Sequence, residues 1–420
     1  MAISRIKESI KFFIGYVSFK VSIVLRKFNV IIFKYPDMFG HQTWNPEYHI
    51  RRHILIYGSF PKVIGIQNTS FIPNLGLYEH HKKYGINVLP PNNNISVFFK
   101  LGMMYQKSLP GGNDSIASWG VKGFSISTME NILSNDLTIL TNSCVSMPLL
   151  KFEEEIADKF YAKYNLKRKE YFCFRDRDNS YMLKKYDQSH ELKKRNRSFV
   201  IREYNENKGN NILDRARNTS LNVFYKGSDM LAKRGVKSVR VGASSSLKCS
   251  SDVILDYSFS IRDNDIIDIL LVANSKFLVA PPTGDGNLGM AFNVPLFIIN
   301  VFPWPYINIP FMEHSMYIPK KIWLKKEKRF MKISEMALLE KKHKRNEFSK
   351  ENIFQDLGIE PIENTEDEIA YGISEMNDRL DGIWNIDRDI YADYLTESNI
   401  SRNSKAKLST TFLELNPELI

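Results

Sequence analysis

Three observations predict an α/β protein with parallel sheets in two domains. Short apolar runs that end in Gly, Pro or a charged residue alternate with segments of helical periodicity, the pattern of parallel strands joined by right-handed crossovers. The stretch Lys276–Asn300, KFLVAPPTGDGNLGMAFNVPLFIIN, reads as strand, loop, helix and strand. The chain has 420 residues, 43% of them hydrophobic, enough for two cores, because a single core seldom grows past roughly 250–300 residues.

Residues 1–27 predict a basic amphipathic helix. Its longest uncharged run, Phe12 to Phe19, falls well short of the about 20 apolar residues of a membrane span. Lys11, Lys20, Arg26 and Lys27 interrupt it and no small-residue cleavage site follows, so it does not read as a secretory signal. Such a helix either lies among lipid headgroups or packs on the first domain.

Residues 28–165 read as the first α/β domain. FNVIIF (28–33) is its opening strand, followed by Gly40-His41 in a loop and a helix from about Pro46 to Ile54 that carries Glu47. Further strands are expected at 62–66 and 86–89, a long loop at 106–123, and a helix at 152–164 before the basic boundary Lys167-Arg168-Lys169. The second domain, 166–325, has strands at 171–174, 238–241 and 253–255, ending at Arg175-Asp176, near Gly242 and at Asp256. Helices are expected at 221–234, closed by Gly235, and at 265–273. In the focal unit the strand 277–280 meets the Pro-Pro-Thr-Gly-Asp-Gly loop, and a helix at 287–292 leads to a strand at 296–299. Alternation at this spacing describes a doubly wound sheet, with the focal loop at its ligand-binding edge. Residues 326–420 read as a helical extension: a short helix at 333–342, then an N-cap signature at Asn364–Glu368 opening a helix to Leu380. Phe302–Tyr306 is an aromatic loop, and the polar, basic stretch 184–208 reads as an insertion.

The net charge of +11 points to an anionic partner: a phosphate-bearing ligand, a membrane surface or nucleic acid. The basic run between Lys159 and Arg202 lacks the interleaved aromatics of a stacking platform, which argues against nucleic acid. Cys144, Cys173 and Cys249 form no CxxC pair, so neither a disulfide framework nor a zinc site is indicated, and a reducing, cytoplasmic compartment follows. Asp263-Asn264-Asp265 has the spacing of a metal-binding motif but reads better as the first turn of the next helix, so metal-independent chemistry is expected.

Taken together in order, several short motifs carry a resemblance that spans almost the whole chain. They are Gly40-His41 with Glu47-Tyr48, Arg175-Asp176, Arg217-Asn218, Arg240-Val241-Gly242, Asp256-Tyr257-Ser258, Asp268, Thr283-Gly284, Pro295, Asn300, Pro319-Lys320-Lys321, Glu363–Thr365 with Glu368-Ile369, and the closing Phe412–Pro417. With these the chain resembles a bacterial glycosyltransferase family linked to surface polysaccharide synthesis. The resemblance implies a GT-B-like architecture, two Rossmann-like domains facing across a cleft. It implies a nucleotide-sugar donor held mainly by the second domain, and a lipid-linked or growing glycan acceptor presented by the first at the inner face of the cytoplasmic membrane. No cofactor is implied. The chain departs from the family pattern at Cys173-Phe174, commonly an aromatic or histidine-containing segment, and at Thr283-Gly284, commonly Ser-Gly.

The residue chemistry can be argued on its own terms. A departing diphosphate is best met by arginine forks and backbone N–H groups. Arg175, Arg217 and Arg240 each lie beside a strand end or helix start, with Gly242 and Asp256 nearby, and Thr283 with the Gly284 N–H completes the donor set. Asp285 would repel a diphosphate unless it faces an arginine or solvent. For the acceptor hydroxyl, His41 is the preferred base because its ordinary pKa of about 6.5 suits proton transfer, with Glu47 or Asp256 behind it; Glu47 could instead bind acceptor hydroxyls. Structural roles compete at each position: Arg–Asp pairing for the arginines, helix capping for His41. A non-catalytic nucleotide- or sugar-binding protein, or a nucleic-acid binder, are the rival classes.

Overall fold

The structure, a computed structural model, describes residues 2–36, 39–67, 70–108, 144–177, 218–242, 247–261, 264–302, 314–343, 353–385 and 406–420. It is mixed α/β with a parallel central sheet. The chain divides into two compact units. One holds Met1–Glu155, Asn264–Ile269 and Ala291–Asn293; the other holds Ile156–Asp263, Leu270–Met290 and Val294–Ile420. Residues 326–420 therefore belong to the second unit.

The first unit opens with α1 (Ala2–Lys27), then β1 (Val30–Tyr35), α2 (Phe39–Tyr57), β2 (Lys62–Gln67), α3 (Leu75–Lys83), β3 (Ile86–Leu89) and α4 (Asn94–Ser108). The three strands pair in parallel in the order β1-β2-β3. Alternation along β1 serves both faces of the sheet. Ile31, Phe33 and Tyr35 pack with Ile50, Val63 and Ile86 on one side, and Ile32 joins Ile66 and Phe99 on the other. A parallel sheet needs this double cover.

Helix α2 corrects the sequence reading. It begins at Phe39 and runs through Pro46, so Gly40 and His41 occupy its first turn instead of a loop. Proline there leaves the ladder without one N–H donor, and the burial of Trp44, Tyr48 and Ile50 outweighs that loss. Proline marks a helix start only when the residues before it are not themselves held by packing.

A closed polar network fills the space between β1, α2 and α3. The Gln42 amide donates to Tyr35 Oη at 3.2 Å and to the Asn74 carbonyl at 3.0 Å, and accepts from the Asn74 N–H at 3.0 Å. Tyr35 Oη also meets His81 Nδ1 at 2.9 Å. Burial, reinforced by the neighbouring His80, holds the His81 pKa well below 6.5. The unfolded chain therefore takes up a proton below about pH 6.5 that the folded ring refuses. Stability from this site is whole above that pH and is lost as pH falls towards the depressed folded value, at about 1.4 kcal/mol per pH unit. Urea midpoints are expected to drop between about pH 7.5 and 5.5, and to drop less in His81→Gln.

The second unit takes in the end of α5 (Lys151–Tyr164), then β4 (Tyr171–Phe174), α6 (Tyr225–Ala232), β5 (Lys237–Arg240), β6 (Ile254–Asp256), the later part of α7 (Asp265–Ala273), β7 (Leu278–Ala280), α8 (Gly284–Ala291), β8 (Leu296–Val301) and β9 (Met316–Pro319). After these come β10 (Lys321–Leu324), β11 (Arg329–Phe330), α9 (Ile333–Lys342), α10 (Ile353–Asp356), β12 (Ile359–Ile362), α11 (Glu366–Leu380), β13 (Lys407–Leu408) and α12 (Thr410–Leu415). The main sheet has seven strands in the order β13-β9-β8-β7-β4-β5-β6, every pair parallel. Strands β4 to β9, counted one to six along the chain, thus stand as 3-2-1-4-5-6. The winding reverses between β4 and β7, and in open α/β sheets ligands bind at the carboxyl ends beside such a reversal.

Two further differences from the sequence reading bear on this edge. Helix α8 starts at Gly284, so Gly284 and Asp285 form its first turn and the loop after β7 is only Pro281–Thr283. Within this helix Gly289 allows close packing on the sheet, since a Cβ there would lie 2.4 Å from Leu296. The charged stretch after Lys320 holds a small antiparallel sheet, β11-β10-β12. At α11 the expected capping box is present: Thr365 Oγ1 accepts from the Glu368 N–H and Glu368 accepts from the Thr365 N–H. Arg217, the stretch 184–208, most of the 106–123 loop and residues 303–306 of the aromatic loop lie outside the described residues.

Candidate functional site

In the second unit the carboxyl ends of five parallel strands collect the residues singled out in the sequence. β4 delivers Arg175 and Asp176, β5 Arg240 and Gly242, β6 Asp256, β7 Thr283 with the start of α8, and β8 Asn300. They separate into a closed ion-pair centre and a more open edge at the winding reversal.

Arg240 is the closed centre. Its Nε and Nη2 donate to the two oxygens of Asp176 at 3.0 and 2.7 Å. Nη1 donates to Asp256 at 3.2 Å and to the Leu247 carbonyl at 2.6 Å. Asp256 in turn accepts the N–H groups of Cys249 and Phe259. Burial alone would lower the Arg240 pKa, but hydrogen bonding to Asp176 and the charges of both aspartates raise it. With no exposed surface, this guanidinium holds β4, β5 and β6 to the 247–249 segment and offers no fork to a ligand. Asp256 is likewise taken up.

Arg175 lies at that edge. Its Nη1 donates to the Val241 carbonyl at 3.3 Å, and its Nε stands 3.6 Å from Asp285, an ion pair longer than a hydrogen bond. The Asp285 carboxylate, for which the sequence left a ligand, an arginine or solvent open, thus points to an arginine. Gly242 makes room for this arrangement. Its φ of 108° belongs to glycine, and a Cβ there would come within 2.5 Å of Arg175 Nη1 and 2.7 Å of its Cδ. The Gly242 carbonyl is held by Ser258 Oγ at 3.0 Å, from a five-residue π-helical turn, Tyr257–Ile261, that follows β6. Turns of this type recur at functional sites.

Thr283 immediately precedes α8, where a threonine ordinarily caps by accepting a backbone N–H. Here its Oγ1 is buried with no hydrogen-bond partner among the described residues. A buried hydroxyl left in this state costs about 1–3 kcal/mol, and a phosphate oxygen at the helix N-terminus would satisfy it. Thr283→Val is therefore expected to leave the melting temperature unchanged or slightly raised, yet to weaken nucleotide binding roughly tenfold or more. A threonine that serves the fold would give the reverse in the same two measurements.

Lys320 figured in the sequence only as part of the Pro319-Lys320-Lys321 motif, with no site role. It follows β9, its N–H donates to the Val301 carbonyl at 3.0 Å, and it is only 5% exposed. Burial lowers its pKa, with the Glu363 carboxylate pulling the other way. It stands two strands from β7, about 10 Å in the hydrogen-bonding direction. Only its place directly after a short apolar run could have revealed it. The adjacent Lys321 instead pairs with Glu368 at 2.6 Å and Asn416 at 2.9 Å. Asn300 exchanges backbone-to-side-chain hydrogen bonds with Asn364 at 2.6 and 2.7 Å and reaches Thr219 Oγ1 at 2.9 Å, which fixes the start of α11 to the end of β8.

In the first unit, Gly40 and His41 are half-buried in the first turn of α2, at the carboxyl end of β1. Glu47, one turn and a half further on, is 2% exposed and fully engaged. Its Oε1 accepts from Arg51 Nε and the Ser146 N–H, each at 2.6 Å, and its Oε2 from Ser146 Oγ at 2.6 Å. Arg51 continues to Asn293 Oδ1 and the Ala291 carbonyl, at 2.7 and 2.6 Å. This geometry makes Glu47 a clasp for the 144–150 segment.

No protein-family model matches the sequence, and no protein of curated function matches it. Among solved structures the chain is similar to the glycosyl transferase family 9 protein of Veillonella parvula DSM 2008, at 10% identity and a TM-score of 0.27, over 65% of this chain and 67% of that one. One structural neighbour of this α/β chain is thus a glycosyltransferase, at a similarity too slight to assign fold or activity.

Proposed function

We propose that the protein is a glycosyltransferase that moves a sugar from a nucleotide-sugar donor to a lipid-linked or growing surface glycan in the cytoplasm. The observation that carries this reading is the carboxyl edge beside the β4–β7 winding reversal. There Arg175, the unpartnered Thr283 hydroxyl and the N-terminus of α8 converge, and Lys320 adds a second buried cation. Such an edge suits a diphosphate: the arginine fork and the helix N–H groups take the charge that grows on the leaving oxygen. Asp285 keeps Arg175 in place before the ligand arrives. Arginine, lysine and the helix N-terminus supply positive charge from the protein itself, which favours a metal-independent reaction. Arg217, beside Asn218, is proposed as a further donor contact. Gly242 and Gly284 provide the close backbone, and Arg240 with Asp256 holds the edge.

On the acceptor side we assign His41 as general base: it takes the proton of the acceptor hydroxyl as that oxygen bonds to the anomeric carbon and the nucleoside diphosphate leaves. Glu47 supports it through the α2 clasp. The test is release of nucleoside diphosphate from a panel of nucleotide sugars, with and without a bacterial glycolipid extract. Turnover that needs the extract and falls at least a hundredfold in His41→Ala, while donor binding persists, is the expected result. Donor binding without turnover on any pair would reduce the protein to a nucleotide-sugar binder.

A further inference from the structure

Helix α1 reverses the usual distribution of side chains on a surface helix. The fully buried positions of its inward face are small residues, Gly15, Ser18 and Ser22, with Phe19 and Leu25 packed beside them against the core, and a Cβ on Gly15 would lie 2.7 Å from the Leu101 carbonyl of α4. Phe12, Tyr16 and Phe19 flank this contact against the Tyr105 ring. The opposite face carries Ile6, Ile10, Phe13, Val17, Val21 and Val24, all exposed, with Phe13 at 65% and Ile6 at 59%. Spaced by three and four residues, these six fall within a stripe about 80° wide at 100° per residue. Lys7 borders the stripe on one side and Lys20 and Lys27 on the other, while the exposed Lys11 lies further round and pairs with Glu8 at 2.8 Å.

A helix meant for water would place its serines and lysines outward and its isoleucines inward. Small residues at the packed face with branched apolar residues outside is the arrangement of a helix whose surroundings are apolar. Its length does not make it a span, since no helix of the described residues is long and apolar enough to cross a membrane. A stripe with lysines along both borders instead suits the plane of the headgroups, where the lysine ammonium groups meet lipid phosphates and the apolar side chains enter the acyl boundary. Residues 2–27 hold six Lys or Arg against one acid, Glu8, a net charge of +5. A second copy seated on the same stripe would bring two such helices together and repel.

We propose that α1 docks the first unit on an anionic lipid bilayer, lying in the interface with the Ile6–Val24 stripe inserted. This rests on the exposed face and its charge, and is independent of the glycosyltransferase reading. The test is flotation of the full chain with vesicles of phosphatidylcholine alone and of phosphatidylcholine with about one-third phosphatidylglycerol. The expected result is binding to the anionic vesicles, weakened by salt and roughly fivefold by each lysine changed in Lys7→Gln and Lys11→Gln, and lost in the triple variant Ile10→Ser, Phe13→Ser, Val17→Ser. These three side chains point outward, so an unchanged thermal melt separates loss of docking from loss of fold. Undiminished flotation of the triple variant, or no flotation of the wild-type chain with either vesicle, overturns the proposal. So does wild-type self-association that the triple variant abolishes without any lipid binding, which would make the stripe an interface between copies.

Discussion

Arg175→Ala is expected to weaken nucleoside-diphosphate binding by about two orders of magnitude while the chain stays folded. Two effects add. The variant loses the fork that meets phosphate oxygens, where hydrogen bonds to charged groups are worth about 1.5–3 kcal/mol each. It also strips Asp285 of the cation 3.6 Å away, and the freed carboxylate then repels the ligand it had been kept from. The second effect can be separated: Asp285→Asn placed on top of Arg175→Ala should recover part of the lost affinity, although alone it should do little good. Such a coupling is what contacting residues show in a double-mutant cycle. Arg175→Lys should recover less than charge alone predicts, because an ammonium cannot form the planar, two-pronged contact. Isothermal titration of the wild type and these four variants reads all of this directly.

Arg240→Met is expected to destabilise the protein by about 3–5 kcal/mol, the range for removing one partner of a buried ion pair. Methionine fills much of the volume, so packing is not the cause. Asp176 and Asp256 are each 7% exposed or less, and without Arg240 they are left as neighbouring buried carboxylates. The loss should show as a lower urea midpoint. Arg175→Ala, by contrast, should move the midpoint little. The contrast between two arginines at the ends of adjacent strands separates the residue that serves the fold from the one that serves the ligand.

That contrast was not legible in the sequence, where Arg175, Arg217 and Arg240 read alike as strand-end arginines. Their difference depends on which carboxylates the sheet brings near, and Asp176 lies far from Arg240 along the chain. What could be read was what local pattern determines. The runs 171–174 and 86–89, the helix at 265–273 and the capped start of α11 stand where periodicity and capping chemistry put them. Alternation of strands and helices made a doubly wound parallel sheet legible, while the order of its strands came only from the structure. Misreadings fell where tertiary packing overrode a local signal. Pro46 reads as a helix start but sits inside α2. Gly284 and Gly286 read as loop but belong to α8, whose Gly289 lets the helix approach the sheet. The small sheet after Lys320 went unread because nothing local reveals that Lys321 is neutralised by Glu368. The same blindness hid Lys320 as a candidate ligand group, and made Glu47 look like an acid free for chemistry when Ser146 and Arg51 already occupy both its oxygens.

The central claim is that the carboxyl edge at the β4–β7 reversal binds the diphosphate of a nucleotide sugar. The most direct measurement is calorimetric titration of the full chain with the nucleoside diphosphates of all the common bases. The account predicts one-to-one binding of at least one of them, weakened by salt, reduced about a hundredfold in Arg175→Ala and clearly reduced in Thr283→Val without loss of thermal stability. Binding that neither variant changes, or no binding of any nucleoside diphosphate by a folded wild-type chain, would contradict it.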